Sequence, residues 1–432
     1  MKSHIKKEAW IVAADMGYGH QRAAYPLKDI AFERVINANS DKIVSNDERK
    51  IWKKARFFYE WISRMTEIPI IGKTLFGLFN KIQEISPYYP LRNSPTPTFE
   101  VRYLNKKIKK GFGKSLISYV QKKNIPFVTT FYIPAMAANY FKLENAYCVI
   151  CDFDINRIWA PLNSKDASIK YFVPCQHTLN RMISYGVPSE KLFLTGFPLP
   201  KENIGGVNSP ITKKVLAQRL INLDPQKKFL SANKYSIQKE LGKKFNIKKK
   251  SMSITITFVI GGAGAQKEIA TDILMSLKEK LLKGDVNLCL VAGTHLEVKE
   301  HFLEVILSEG LKSVLNKNLT IIFELTKKDY FKSFNAQLNK TDVLWTKPSE
   351  LSFYSGLAIP IIIAPPIGAQ ELWNRKWLFE IGAGSNQEDP KYTHLWLFEK
   401  LKDGRLARKA WNAYLNAPRL GTYNIERILF EK

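Results

Sequence analysis

A chain of 432 residues with 45% hydrophobic and 12% aromatic content is long enough for two domains with full cores and too apolar for a disordered chain. Its 66 Lys+Arg against 39 Asp+Glu leave a net charge of +27, which points to a polyanionic partner (nucleic acid, an anionic membrane face or a phosphorylated ligand) or to a solvated basic surface. Cys148, Cys151, Cys175 and Cys289 lack a second pair at zinc spacing and read as buried reduced thiols, and no apolar run reaches the roughly 20 residues that span a bilayer.

The chain opens with a strand at Glu8–Ala14, too short and too soon interrupted by Asp15 for a signal peptide. Asp15-Met16-Gly17-Tyr18-Gly19-His20 follows, and then a helix expected from about His20 to Ile36. A strand, a glycine loop and a helix start form one unit, with His20 where the helix dipole favours neutral imidazole, the form a general base needs. The bland alternative is a histidine that caps or packs. Residues 51–85 interleave Trp52, Phe57, Phe58, Tyr59, Trp61, Phe76 and Phe79 with lysine and arginine. That pattern fits either an interfacial membrane helix or a pair of core helices. After a proline-rich loop, VRYLNKKIKKGFGKSLISYV reads as one basic helix. Strand-like runs at Pro126–Phe131, Ala146–Cys151, Ile169–Val173 and Leu192–Thr195 then alternate with helical patterns, which predicts a mostly parallel sheet. Asp152 and Asp154 close one of these strands at the edge where α/β proteins place their sites, though a turn-forming aspartate is an equal reading of each.

Residues 201–250 have little periodicity and read as a linker or insert between an N-terminal domain, 1–200, and a C-terminal domain, 251–395, with C-terminal helices over 396–432. The second domain opens on SMSITITFVIGGAGAQ, a β-branched strand running into a glycine turn and a helix with Ile269, Ile273, Leu277 and Leu281 at helical spacing. Gly261, Gly262 and Gly264 would let a phosphate approach the backbone at a helix N-terminus, but the turn alone fits a ligand-free βα connection equally well. Strands at Ile254–Ile260, Val286–Ala292, Leu319–Phe323, Val343–Trp345 and Pro360–Ala364, with helices in the gaps, complete a second parallel domain.

Several stretches resemble one group of GT-B glycosyltransferases, that of monogalactosyldiacylglycerol synthases, processive diacylglycerol glucosyltransferases and the lipid-linked N-acetylglucosaminyltransferase of peptidoglycan synthesis. They are Gly17-Tyr18-Gly19-His20 with Ala23-Ala24, Asp152-Phe153 with Trp159, the run from Gly186 to Pro198, GGAGAQ, Thr346-Lys347-Pro348, and IIIAPPIGAQELWN. The resemblance implies an α/β, GT-B fold of two Rossmann-like parallel-sheet domains facing a central cleft. It also implies a metal-independent hexosyltransferase with no cofactor beyond its donor substrate, a UDP-sugar. The acceptor it implies is a lipid such as diacylglycerol, met at the cytoplasmic face of the plasma membrane by a peripheral protein, with an anionic membrane surface as partner and nucleic acid not expected. Carried over by position, His20 becomes the catalytic base and Asp152 its partner, with Gly17, Gly19 and Trp159 on the acceptor side. Gly261, Gly262, Gly264, Lys347, Glu350, Gln370, Glu371 and Asn374 become the donor site.

The chain departs from the pattern in places. Ser349-Glu350 replaces the usual Gly-Gly, Ser355 lies nearer than Glu350 to the slot of the ribose glutamate, Asn156 stands for a histidine, and Phe131-Tyr132 replaces a threonine–histidine near Thr130. Two other readings share features of the sequence: a UDP-N-acetylglucosamine 2-epimerase-like enzyme, and a non-catalytic degenerate transferase that binds nucleotide or membrane.

Overall fold

The computed structural model describes residues 7–54, 85, 87–243, 245–246, 250–260, 266–366 and 368–431. Most of the aromatic-basic stretch 51–85 therefore lies outside the described residues, as do Gly261, Gly262 and Gly264. The chain divides into two compact units. The first comprises 1–199, 368–373 and 418–432, and the second 200–367 and 374–417.

Each unit is built on a six-stranded parallel sheet, so the class is α/β with two Rossmann-like sheets. In the first, β1 (Ala9–Ala13), β2 (Ala31–Asn37), β3 (Phe127–Thr129), β4 (Ala146–Val149), β5 (Lys170–Val173) and β6 (Leu192–Leu194) lie in the order β2-β1-β3-β4-β5-β6. Every residue of β1 is buried, as a parallel strand covered on both faces requires. Alternation splits it cleanly: Trp10 and Val12 join one core, while Ala9, Ile11 and Ala13 join the other with Leu27 and Ile425.

In the second unit β7 (Ile254–Val259), β8 (Val286–Gly293), β9 (Leu319–Phe323), β10 (Val343–Thr346), β11 (Ile361–Ile363) and β12 (Gly384–Asn386) lie in the order β12-β11-β10-β7-β8-β9. Both sheets reverse direction once. The reversal falls between β1 and β3 in the first sheet and between β7 and β10 in the second. These are the topological switch points at which open α/β sheets leave a crevice for a ligand.

Three expectations are corrected. The helix expected over 20–36 is a helix at Gly19–Ala24 and a 3-10 turn at Tyr25–Ile30, followed by strand β2. Phe32, Val35 and Ile36 fit helical spacing, but Pro26 lies in the 3-10 turn and the sheet edge offers the next segment backbone partners. The basic helix is two, Phe99–Lys109 and Lys114–Val120, separated where Gly111 and Gly113 take left-handed φ angles of 100° and 87°.

Residues 201–250, read as a linker or insert of little periodicity, hold the helices Lys201–Ile204, Pro210–Asn222, Lys228–Ala232 and Lys234–Leu241. Leu216, Leu220, Leu230 and Ile237 sit in the second unit's core. The buried Arg219 guanidinium donates to the carbonyls of Thr341 (2.8 Å), Leu357 (2.8 Å), Ala358 (3.0 Å) and Leu338 (3.2 Å). That clamp ties this segment to the flanks of β10.

The last helix, Gly421–Phe430, starts against the backbone that follows β6. A Cβ at Gly421 would overlap the Phe197 carbonyl and lie 2.7 Å from the Gly196 carbonyl oxygen, and neither is a flexible side chain. Gly421→Ala is expected to cost about 2–3 kcal/mol through overpacking and to lower the melting temperature by roughly 4–10 °C. A calorimetric scan that returns the parent midpoint would show that the helix start can slide off the Phe197 carbonyl at no cost.

Candidate functional site

In the first unit the site grows from the loops after β1 and β3. Gly17 is exposed and its φ of 94° turns the chain out of β1, and nothing lies within 4 Å of where its Cβ would be. The glycine is thus needed for backbone conformation rather than for space. Gly19 then begins the short helix that carries His20. Across the switch point, the Thr130 N–H donates to the Val12 carbonyl at 3.0 Å, which sets Thr130 beside the β1 loop.

Two reciprocal bonds join the loops. His20 Nδ1 lies 2.7 Å from the Thr130 carbonyl oxygen, and Thr130 Oγ1 donates to the His20 carbonyl at 2.7 Å. A carbonyl only accepts, so Nδ1 carries the proton and Nε2 keeps its lone pair. Although His20 retains some exposed surface, burial of its ring dominates and lowers its pKa to about 4, against a smaller opposing effect of the Thr130 bond. Phe131 packs edge-on against the ring at 4.5 Å and Trp159 lies at 6.1 Å. Trp159 is buried, and its carbonyl accepts from the Tyr171 hydroxyl at 2.9 Å. The arrangement is a neutral, oriented imidazole with one free basic nitrogen in an aromatic setting.

Asp152 is the partner expected for His20. Nδ1 itself meets the Thr130 carbonyl, because the β3 loop is the direct neighbour of β1 in the sheet. Asp152 is partly exposed, and its carbonyl accepts from Thr178 Oγ1 at 3.3 Å.

The carboxylate that turns inward is Asp154, fully buried. Arg181 grips it with Nε on Oδ1 at 2.8 Å and Nη2 on Oδ2 at 2.7 Å. His177 Nε2 is 2.9 Å from the same Oδ2, but its N–H is not aligned as a hydrogen bond, so the contact is one of proximity. Phe153 stacks on the His177 ring at 4.5 Å and Tyr88 covers it at 4.4 Å.

In the second unit the described donor candidates Lys347 and Glu350 follow the carboxyl end of β10. Thr346 ends β10 opposite Val259 of β7 and Ile363 of β11. The partly exposed Lys347 follows at once, beside the switch point. Ser349 caps the 3-10 helix Glu350–Leu357, its Oγ accepting from the Leu351 N–H at 3.4 Å. Glu350 is partly exposed, whereas Ser355 is completely buried, so of the two only Glu350 is open to a ligand.

The helix Ala369–Glu380 carries Gln370 and Glu371 in its first turn, both partly exposed, and a fully buried Asn374. Gln266, absent from the expected site, precedes the helix Lys267–Lys283 and donates to the Pro365 carbonyl at 2.9 Å. Among the described residues no group of three or more His, Cys, Asp or Glu is placed to hold a metal.

Curated proteins resemble the chain along much of its length. The processive diacylglycerol beta-glucosyltransferase of Bacillus cereus (strain AH187) is 23% identical over 320 residues, 72% of this chain. The match spans 66% of that protein, just under two-thirds of its length. The protein of the same name from Bacillus cytotoxicus is 23% identical over 408 residues, 91% of this chain and 84% of its own. The chain is similar in sequence to processive diacylglycerol glucosyltransferases. That is one of the groups its motifs resemble.

A family model described as a domain of unknown function, DUF6938, matches residues 234–424. Among solved structures, S. aureus MnaA with UDP gives a TM-score of 0.49 at 13% identity, over 98% of this chain and 95% of its own. UDP-GlcNAc 2-epimerase from Neisseria meningitidis bound to UDP-GlcNAc gives 0.48 at 12% identity, over 98% of each. Acinetobacter baumannii MurG gives 0.48 at 14% identity, over 98% of this chain and all of its own.

Proposed function

We propose that the chain is a glycosyltransferase that moves a sugar (glucose, galactose or an N-acetylhexosamine) from a UDP-sugar to a lipid acceptor such as diacylglycerol at a membrane face. The observation that carries this reading is His20, fixed by the Thr130 carbonyl in the tautomer whose Nε2 accepts a proton, at the switch point of the first sheet. In the transfer step the acceptor hydroxyl gives its proton to Nε2 and its oxygen bonds to the sugar's anomeric carbon. The bond from that carbon to the diphosphate breaks, and UDP leaves with the electron pair. Lys347 and the N-terminus of the helix Lys267–Lys283 supply positive potential for the leaving diphosphate, and Glu350 offers a carboxylate to the ribose hydroxyls.

A lipid partner is supported by the helix Phe99–Lys109. Phe99 and Tyr103 are 77% and 53% exposed and stack on one another at 6.2 Å. Lys106, Lys107 and Lys109 share that helix. Its inner side, with Met136, Ile158 and Leu162, lines a mostly apolar cavity of about 230 Å³. Exposed aromatics beside lysines suit an anionic interface, and among the described residues no helix is long and apolar enough to cross a membrane. We place the protein on the inner face of the plasma membrane, bound peripherally.

UDP at a hundredfold excess over its dissociation constant should add about 2.7 kcal/mol to the unit that binds it, a rise of several degrees in its melting temperature. GDP and TDP should do less. Transfer of labelled sugar to diacylglycerol in anionic vesicles then tests the acceptor. A UDP-sugar panel that leaves the melting curve unmoved would remove the donor side of the proposal.

A further inference from the structure

We infer that Gln266 is a positioning residue of the donor site just proposed, on which reading this inference rests: its side-chain amide joins the loops that follow β7 and β11 over the end of β10. The loop after β11 begins Ala364-Pro365-Pro366, and neither proline has an N–H with which to tie the loop down. The Pro365 carbonyl is held from outside, by Gln266 Nε2 at 2.9 Å. Since β7 and β11 flank β10, the bond links strands whose axes lie about 9–10 Å apart. It passes over the strand that ends in Thr346 and leads into Lys347.

The backbone of Gln266 provides a second, independent observation. Its φ of 71° and ψ of 26° are left-handed, a conformation strained for a residue with a side chain. In the sequence the residue follows Gly261-Gly262-Ala263-Gly264-Ala265, and one more glycine at its own position would remove that strain. Strain kept at one position, where the side chain makes a contact that glycine cannot, points to a use for the contact. The Lys267–Lys283 helix does not need Gln266's side chain to begin, because its N-cap makes no side-chain cap bond. The amide is free to serve the neighbouring loop instead.

The test compares the full-length protein with Gln266→Gly, which relieves the backbone and removes the amide, and Gln266→Glu, which keeps size and strain but cannot donate to a carbonyl. Melting without ligand, UDP titration and donor kinetics are read on each. Gln266→Gly should melt at or above the parent temperature, and both variants should bind UDP about 3–10-fold more weakly, the scale of one lost neutral hydrogen bond. Donor KM should rise with kcat unchanged. Equal UDP affinity in parent and Gln266→Gly would overturn the positioning role and leave the donor site standing. A Gln266→Gly protein that loses melting temperature together with affinity would assign the residue to structure alone. A parent protein that ignores UDP would remove the donor reading and this inference with it.

Discussion

His20→Ala is expected to lower kcat for sugar transfer by about 10²–10⁴-fold, the usual worth of a positioned general base, while UDP binding stays at the parent value. The imidazole is placed by its Nδ1 bond to the Thr130 carbonyl and by Phe131, and the Thr130 hydroxyl holds the His20 main-chain carbonyl, so alanine takes away the proton acceptor and leaves that backbone bond in place. His20→Gln sharpens the test. A glutamine can restore the contact with the Thr130 carbonyl but has no basic nitrogen, so it should recover stability and not turnover. If His20→Gln and parent transfer sugar at the same rate, His20 is a packing residue and the base lies elsewhere.

The pH dependence follows with a definite sign. Burial lowers the His20 pKa from 6.5 to about 4, so the ring stays neutral and basic well into the acid range. The acid limb of kcat/KM that belongs to His20 should therefore fall near pH 4 and show no inflection at 6.5. Stability moves the other way from a typical histidine pair. Between pH 6.5 and about 4 the unfolded chain takes up a proton that the folded chain refuses, so stability declines as pH falls through that window. His20→Ala should flatten that slope. An unchanged slope in denaturant titrations at several pH values would show that the histidine is solvated in solution.

The sequence carried the fold because parallel strands announce themselves as short apolar runs. β1, β4, β7 and β8 are almost wholly buried and read as such. Two of the four edge strands, β2 and β12, do not. β2 is half-exposed with a helix-compatible pattern, and β12 is three residues, Gly384–Asn386, with no apolar signature. The segment 201–250 hid its helices for a different reason: they are short, and prolines and lysines blur their periodicity.

At the site, the glycine loop and His20 were legible because glycine and histidine are chemically distinctive. Thr130 was not, since what it contributes is a backbone carbonyl, and only sheet order reveals that β3 neighbours β1. Asp152 and Asp154 have the same parity in the segment that follows β4, so the pattern could not say which turns inward. A signal existed in His177 and Arg181, four apart on the helix Gln176–Ser184 and therefore on one face, a ready basic partner for whichever carboxylate was buried.

Asp154→Ala should destabilise the protein by about 3–5 kcal/mol, because it leaves the Arg181 guanidinium buried without its counter-charge. Burial alone would push the Asp154 carboxyl up. The bidentate Arg181 contact, and then His177, more than offset that and hold it below the ordinary carboxylate range. A depressed carboxylate stabilises the fold above its unfolded pKa, and that stabilisation drains away as pH falls below about 4. The alanine variant should lack that acid limb. Truncating one partner measures an orphaned charge, however, and not the worth of the pair. The double variant Asp154→Val with Arg181→Met removes both charges and should recover most of the loss, since a buried pair replaced by apolar groups of similar volume is often near neutral. Equilibrium denaturation of the three variants decides it. If Asp154→Ala is as stable as the parent, Arg181 has found water or a second acceptor. If the double variant is no better than the single one, the cluster's value lies in placing Tyr88 and His177, whose rings rest against it.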